Sequence, residues 1–231
     1  MRVEILSEDK SGSVVVKRLT ERLLQKMGVE FELYVRPHRG CGSLPKDMDS
    51  PPAPLTNSLL GLLPAELRAY NRVLIPDKDV LVVIMDSDDK DPNELRDKLY
   101  SVCRLYCPSV RTVVGLCTEE IEAWLLGDFE AIIETFPEAD VKAHDSYTQD
   151  SVCGTWEKLC EVVEPEGFEE LLNIGYPAIG NYKAMWADKI SMNMDPERNV
   201  SPSFILYKNA LLQAIKNPQA INKPRVKRTS F

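Results

Sequence analysis

Histidine is nearly absent, cysteine is sparse, and no apolar run approaches the roughly 20 residues needed to span a bilayer. Each shortage excludes something. His38 and His144 sit in separate regions, and the spacings of Cys41, Cys103, Cys107, Cys117, Cys153 and Cys160 fit no zinc pattern. Six cysteines in 231 residues also fall far short of a disulfide scaffold, so they read as small hydrophobes. The start, MRVEILSEDK, has no long apolar core of the signal-peptide kind, which predicts a cytoplasmic protein without membrane contact. Positive charge is short as well. With 28 Lys and Arg against 36 Asp and Glu the net charge is −8, which argues against non-specific coating of nucleic acid. An enzyme that reaches phosphates through metal ions stays open. The sign reverses only at the end, where Lys216, Lys223, Arg225, Lys227 and Arg228 share the last stretch with no acid. A solvated tail is the favoured reading there and a phosphate-binding arm the other.

What is present is an α/β pattern. At 26.1 kDa the chain can bury one large core, or a core plus a smaller lobe. Residues 2–7, Val29–Val35, Val80–Met85 and Val110–Cys117 read as strands. The second alternates apolar and polar residues, as at a sheet edge. The third and fourth are continuously apolar, as in a sheet covered on both faces. Residues 13–27 and 92–106 carry helical spacing, with Ser11 or Ser13 as candidate cap for the first and Pro92 opening the second. This order predicts a parallel sheet flanked by helices, with the first and third strands adjacent. Residues 36–57, with five prolines and two glycines, predict an extended excursion. Beyond 140 the chain turns mostly helical, punctuated by Pro165, Pro177 and Pro202. The expected division is an α/β core over 1–140 and a helical extension over 141–231.

The signal for function lies in "LVVIMDSDDKD" at 81–91, where a buried strand ends in Asp86, Asp88, Asp89 and Asp91. Strand alternation aims Asp86 and Asp88 at one point, and two hard carboxylates so placed repel unless a cation such as Mg²⁺ or Mn²⁺ lies between them. Glu8 follows the first strand, and Glu119, Glu120 and Glu122 follow the fourth, so acids recur at the carboxyl ends of three strands, where ligands of open parallel sheets bind. Each has a bland reading too. "DSDDKDP" alone suits a helix entry, Thr118 could cap a helix with Glu119 and Glu120 in its first turn, and Glu8 before Ser11-Gly12 could be another helix start.

The same positions carry a resemblance. Glu8 in "LSEDKSG", Asp86 and Asp88 in "VVIMDSDDKD", "RPHRGCGSL" at 36–44, "EEIEAWLLGDFEAI" at 119–132 and "WADKISMNMDPERNVSPSF" at 186–204 together resemble the Toprim domain, and more specifically the Toprim-like DUF4276 family. The resemblance implies a Toprim-like Rossmannoid sheet and a Mg²⁺- or Mn²⁺-dependent nuclease. It further implies an effector of an antiphage defence system beside an ATPase partner. It makes Glu8 the first acid, Asp86 and Asp88 the metal-binding pair, and Glu120 or Glu122 the completing carboxylate. Asp9 departs from the family pattern, in which glycine commonly follows the first glutamate.

Lys10 and Ser11 then become candidates for holding a phosphate oxygen, and Arg36 and Arg39, in a loop with His38, candidates for a nucleic-acid backbone. Trp124 reads as core rather than a stacking platform, and "SPSF" as a helix entry capped by Ser201 or Ser203; Lys183 and Lys189, on the helix around Trp186, read either as ordinary surface lysines or as bases approaching the acids. Three functions remain: the nuclease, a non-catalytic subunit that binds an ATPase or nucleic acid, and a phosphoryl receiver. The last lacks its lone aspartate and later lysine. A homo-oligomer is compatible with any of them.

Overall fold

The computed structural model describes residues 1–175 and 178–216; Pro177 and the basic residues Lys223, Arg225, Lys227 and Arg228 lie outside them. The first part alternates β1 (Arg2–Ser7), α1 (Lys10–Lys26), β2 (Glu32–Pro37), α2 (Leu59–Val73), β3 (Val80–Asp86), α3 (Pro92–Tyr106) and β4 (Arg111–Cys117). Helices follow: α4 (Glu122–Leu126), α5 (Phe129–Thr135), α6 (Val141–Asp145), α7 (Thr155–Val163), α8 (Phe168–Ile174), α9 (Ala178–Ser191) and α10 (Pro202–Lys216). All four strands run parallel in the order β2-β1-β3-β4, so the first and third are neighbours as expected.

The pleat sorts the strand residues into two cores. Val3, Ile5, Val80, Val82, Ile84, Val113 and Cys117 face α1 and the C-terminal helices, whereas Leu6, Leu81, Val83, Met85, Val114 and Leu116 face α2 and α3. The helices beyond residue 140 share the first core. α9 packs on α1, and α10 lies along β4, with Trp186, Phe204, Tyr207 and Leu211 buried among the strand residues. Trp124 is fully buried and stacks on Tyr207 at 5.3 Å between ring centroids, which makes it core.

Departures from expectation include a cap, a strand start and a whole helix. Asp9, not Ser11 or Ser13, caps α1: its Oδ1 accepts the Gly12 N–H at 2.7 Å, and Ser11 itself donates to Asp9 Oδ2. β2 begins at Glu32 and not Val29, because its ladder can start only where β1 starts; the Glu32 N–H goes to Met1 O at 2.9 Å. α2 arises where only a connection was expected. Its Leu59, Leu63, Leu67 and Tyr70 are buried at helical spacing despite Pro64 in the second turn. The excursion runs without helix or strand from residue 38 to 58. At 202–204, Ser201 Oγ accepts the Phe204 N–H, so Ser201 caps α10, while Ser203 Oγ takes the Trp124 indole N–H at 2.9 Å.

Candidate functional site

β1, β3 and β4 end level: Ser7 lies opposite Ile84, and Asp86 opposite Cys117. The acids therefore come to one edge of the sheet because the apolar runs that bury each strand stop in register there. Glu8 and Asp86 meet directly, the Asp86 N–H donating to Glu8 Oε2 at 3.3 Å. Between them lies a cavity of about 10 Å³, lined by Glu8, Asp9, Gly12, Asp86, Cys117 and Ile121 among others. That is room for about one water or a small ion.

Electrostatics here are unfavourable to charge. Burial pushes the Asp86 carboxyl well above its usual range, reinforced by Glu122, Glu8, Asp9 and Glu120. Glu8 is raised by burial and by Asp88 and Asp9, against the Asp86 and Cys41 amides that favour its anion. Glu122 is 1% exposed, and neither of its carboxylate oxygens has a hydrogen-bond partner among the described residues. Burial lifts its pKa to about 7; the Lys183 ammonium, 3.5 Å from Oε1, opposes the rise, and Glu120 and Asp9 add to it. Glu120 accepts from Lys183 Nζ at 2.9 Å through Oε1, while its buried Oε2 has no partner.

Asp88 is placed differently from expectation. The strand stops at Asp86, and Asp88 takes a left-handed backbone (φ 49°), its N–H bonded to Glu119 O at 3.0 Å. Its carboxylate is half exposed and accepts from Lys90 Nζ at 2.9 Å. Asp86 and Asp88 thus line different cavities: Asp88 joins Asp89, Glu119, Glu120, Trp156 and Glu157 around a neighbouring one of about 270 Å³. Strand alternation cannot carry across a residue that leaves the β conformation.

Glu119 has a structural partner. Its carboxylate accepts the Cys153, Gly154 and Thr155 N–H groups and the Thr155 hydroxyl, closing the start of α7. Burial works against this charge, yet those donors outweigh it and hold Glu119 below the ordinary value. Of the three glutamates, Glu120 and Glu122 remain as candidate ligands. Thr118 caps no helix here; its hydroxyl donates to Asp150 Oδ2.

The basic candidates divide. Arg36 is held by Glu4, with Nε 3.4 Å from Oε2, and stacks over Tyr70. His38 bridges Ser7 O and Glu66 and is buried. Arg39 and Lys10 are exposed, and the loop around Arg39 is fixed beside the acids by the Gly40 N–H donating to Glu8 O at 3.0 Å. Lys189 lies over the Phe136 ring, whereas Lys183 reaches the acids and also sits 5.9 Å above Trp156. Trp156 and Glu157, 34 to 38 residues past the fourth-strand acids, carry no local sequence signal; the fold of α7 against α4 brings them in.

The donor set is all hard oxygen, and the orphaned Glu120 and Glu122 oxygens suit a divalent cation. As the side chains stand, no three His, Cys, Asp or Glu groups among the described residues converge as a ready ligand set. No family model, curated protein or solved structure matches the chain.

Proposed function

We propose that the chain is a divalent-metal-dependent phosphodiesterase acting on nucleic acid, working as an effector beside an ATPase partner. One observation supports the reading: carboxylates from the ends of three strands gather at one sheet edge, partly desolvated, with buried Glu120 and Glu122 oxygens that have no hydrogen-bond partner among the described residues. Such an arrangement costs free energy unless a cation or proton occupies it. Glu8, Asp86, Glu120 and Glu122 would hold Mg²⁺ or Mn²⁺. The ion would offset phosphate charge and act as Lewis acid at the phosphorus centre. Asp88, opening on the larger cavity with Lys90, flanks the approach. Lys10 and Arg39, exposed beside the acids, are the groups available to a phosphate backbone. The defence setting and the ATPase rest on the family resemblance alone.

The purified protein, incubated with DNA and with RNA in Mn²⁺ or in EDTA, tests this. Cleavage in Mn²⁺ only, lost by more than a hundredfold in Glu8→Gln and Asp86→Asn with the fold intact, is the expected outcome. Cleavage persisting in both variants means another site or a contaminant.

A second reading has its own observation. Lys183 already supplies a cation to Glu120 and Glu122, and Lys90 to Asp88. On that reading these ammonium groups replace the metal, and the chain keeps the fold only to bind its partner. Mn²⁺ then fails to raise the thermal midpoint of the wild-type protein.

A further inference from the structure

The outer edge of the sheet offers an inference that is independent of the acidic centre. β2 is the end strand, and β1 and α1 make its main contacts with other elements. Its ladder to β1 uses alternate residues: the Glu32 N–H donates to Met1 O and the His38 N–H to Ser7 O, both at 2.9 Å. The N–H and C=O groups of Leu33 and Val35 therefore turn to the open side. No loop, turn or cap hydrogen bond among the described residues takes them up. Pro37, the next outward position, has no N–H to donate, so the open ladder stops there.

The side chains on the polar face of this strand are Glu32, Tyr34 and Arg36, all exposed. The order acid, aromatic, base is self-complementary when the strand meets itself antiparallel. Centred on Tyr34, a twofold axis sets Tyr34 against Tyr34, Glu32 against Arg36, and the outward groups of Leu33 against those of Val35. Centring the axis on Leu33 or Val35 sets Glu32 or Arg36 against Tyr34, and centring it on Glu32 or Arg36 sets like charge on like. Only one register satisfies both backbone and charge. The fixed orientation of the side chains favours it too. Arg36 is steadied by Glu4 and Tyr70 yet 58% exposed, leaving donors of its guanidinium for a second carboxylate. Tyr34 is held under Arg2 at 5.0 Å and donates to Glu32 Oε2 at 3.2 Å.

We propose that β2 pairs antiparallel with β2 of a second copy about a twofold axis at Tyr34, joining two four-stranded sheets into one of eight strands. A foreign strand meets an alternating charge pattern that it matches only by chance, whereas a second copy matches it by symmetry.

Sedimentation of the full chain over a concentration series, with Glu32→Lys beside it, reads the association. Glu32 is exposed and its replacement touches no core. The variant turns both cross-axis pairs into like-charge contacts and is expected to raise the dimer dissociation constant about tenfold or more. Register is read by mild oxidation and non-reducing electrophoresis. Tyr34→Cys places two thiols on the axis in a non-hydrogen-bonded pair, about 4.5 Å between Cα atoms and within disulfide reach. It cross-links, whereas Glu32→Cys, facing Arg36, does not; the wild type controls for Cys41 and Cys153. A wild type that is monomeric at every concentration overturns the proposal. So does a dimer indifferent to Glu32→Lys in which Tyr34→Cys stays uncross-linked.

Discussion

Glu122 shows how a single carboxyl records the demand of its surroundings. It is buried, its carboxylate has no hydrogen-bond partner among the described residues, and the Lys183 ammonium lies 3.5 Å away. Its folded pKa of about 7 stands above the ordinary glutamate value of 4.5. A group raised in this way lends stability that is complete below about 4.5 and is lost as pH climbs through about 7. The metal-free protein should therefore melt lower at pH 8 than at pH 5. Glu122→Gln, which keeps the shape without the charge, should remove part of that slope, on the order of 1–3 kcal/mol at pH 8. Thermal unfolding in EDTA across that range checks it, and equal slopes in the two proteins would count against a desolvated Glu122. At this scale the sequence was partly readable. Asp86, Glu8 and the glutamates after β4 stand out because acids follow apolar runs, and the runs place them. The roles of Glu119 and Lys183 were not separable from sequence, since their partners lie 34 or more residues away at the start of α7 and 61 or more residues away in the α4 region, respectively.

The elements beneath the site depend on where ladders and caps are satisfied. β1, β3 and β4 were legible as apolar runs, and α1 and α3 from their periodicity. β2 slid three residues because its start is fixed by β1 and not by its own composition. α2 was hidden behind Pro64 and the proline-rich stretch before it, although Leu59, Leu63, Leu67 and Tyr70 carry the spacing. Glu119 has an element-scale task, closing the N-terminus of α7 with three amides and a hydroxyl. Glu119→Ala should lower stability by about 1–2 kcal/mol, as loss of a helix cap does. Mn²⁺ binding should survive the change. Loss of metal binding at unchanged stability would instead make Glu119 a ligand and release α7 from its dependence on it.

At the scale of the whole molecule, the proposed function requires a local inversion of sign that would let an acidic protein act on a polyanion. A net charge of −8 repels nucleic acid, and the structure adds to the problem by bringing Glu8, Asp86, Glu120 and Glu122 within electrostatic reach of each other. No helix among the described residues is long and apolar enough to cross a membrane. The sheet edge opens instead onto two cavities in which carboxylates outnumber bases. A divalent cation at that edge would relieve the repulsion, satisfy the orphaned oxygens and present positive charge to a phosphate. Calorimetric titration of Mn²⁺ into the metal-free protein and into Asp86→Asn tests this most directly. A saturable binding event in the wild type that is lost in the variant is the expected result. Identical heats for the two proteins, or no binding by the wild type, would contradict it.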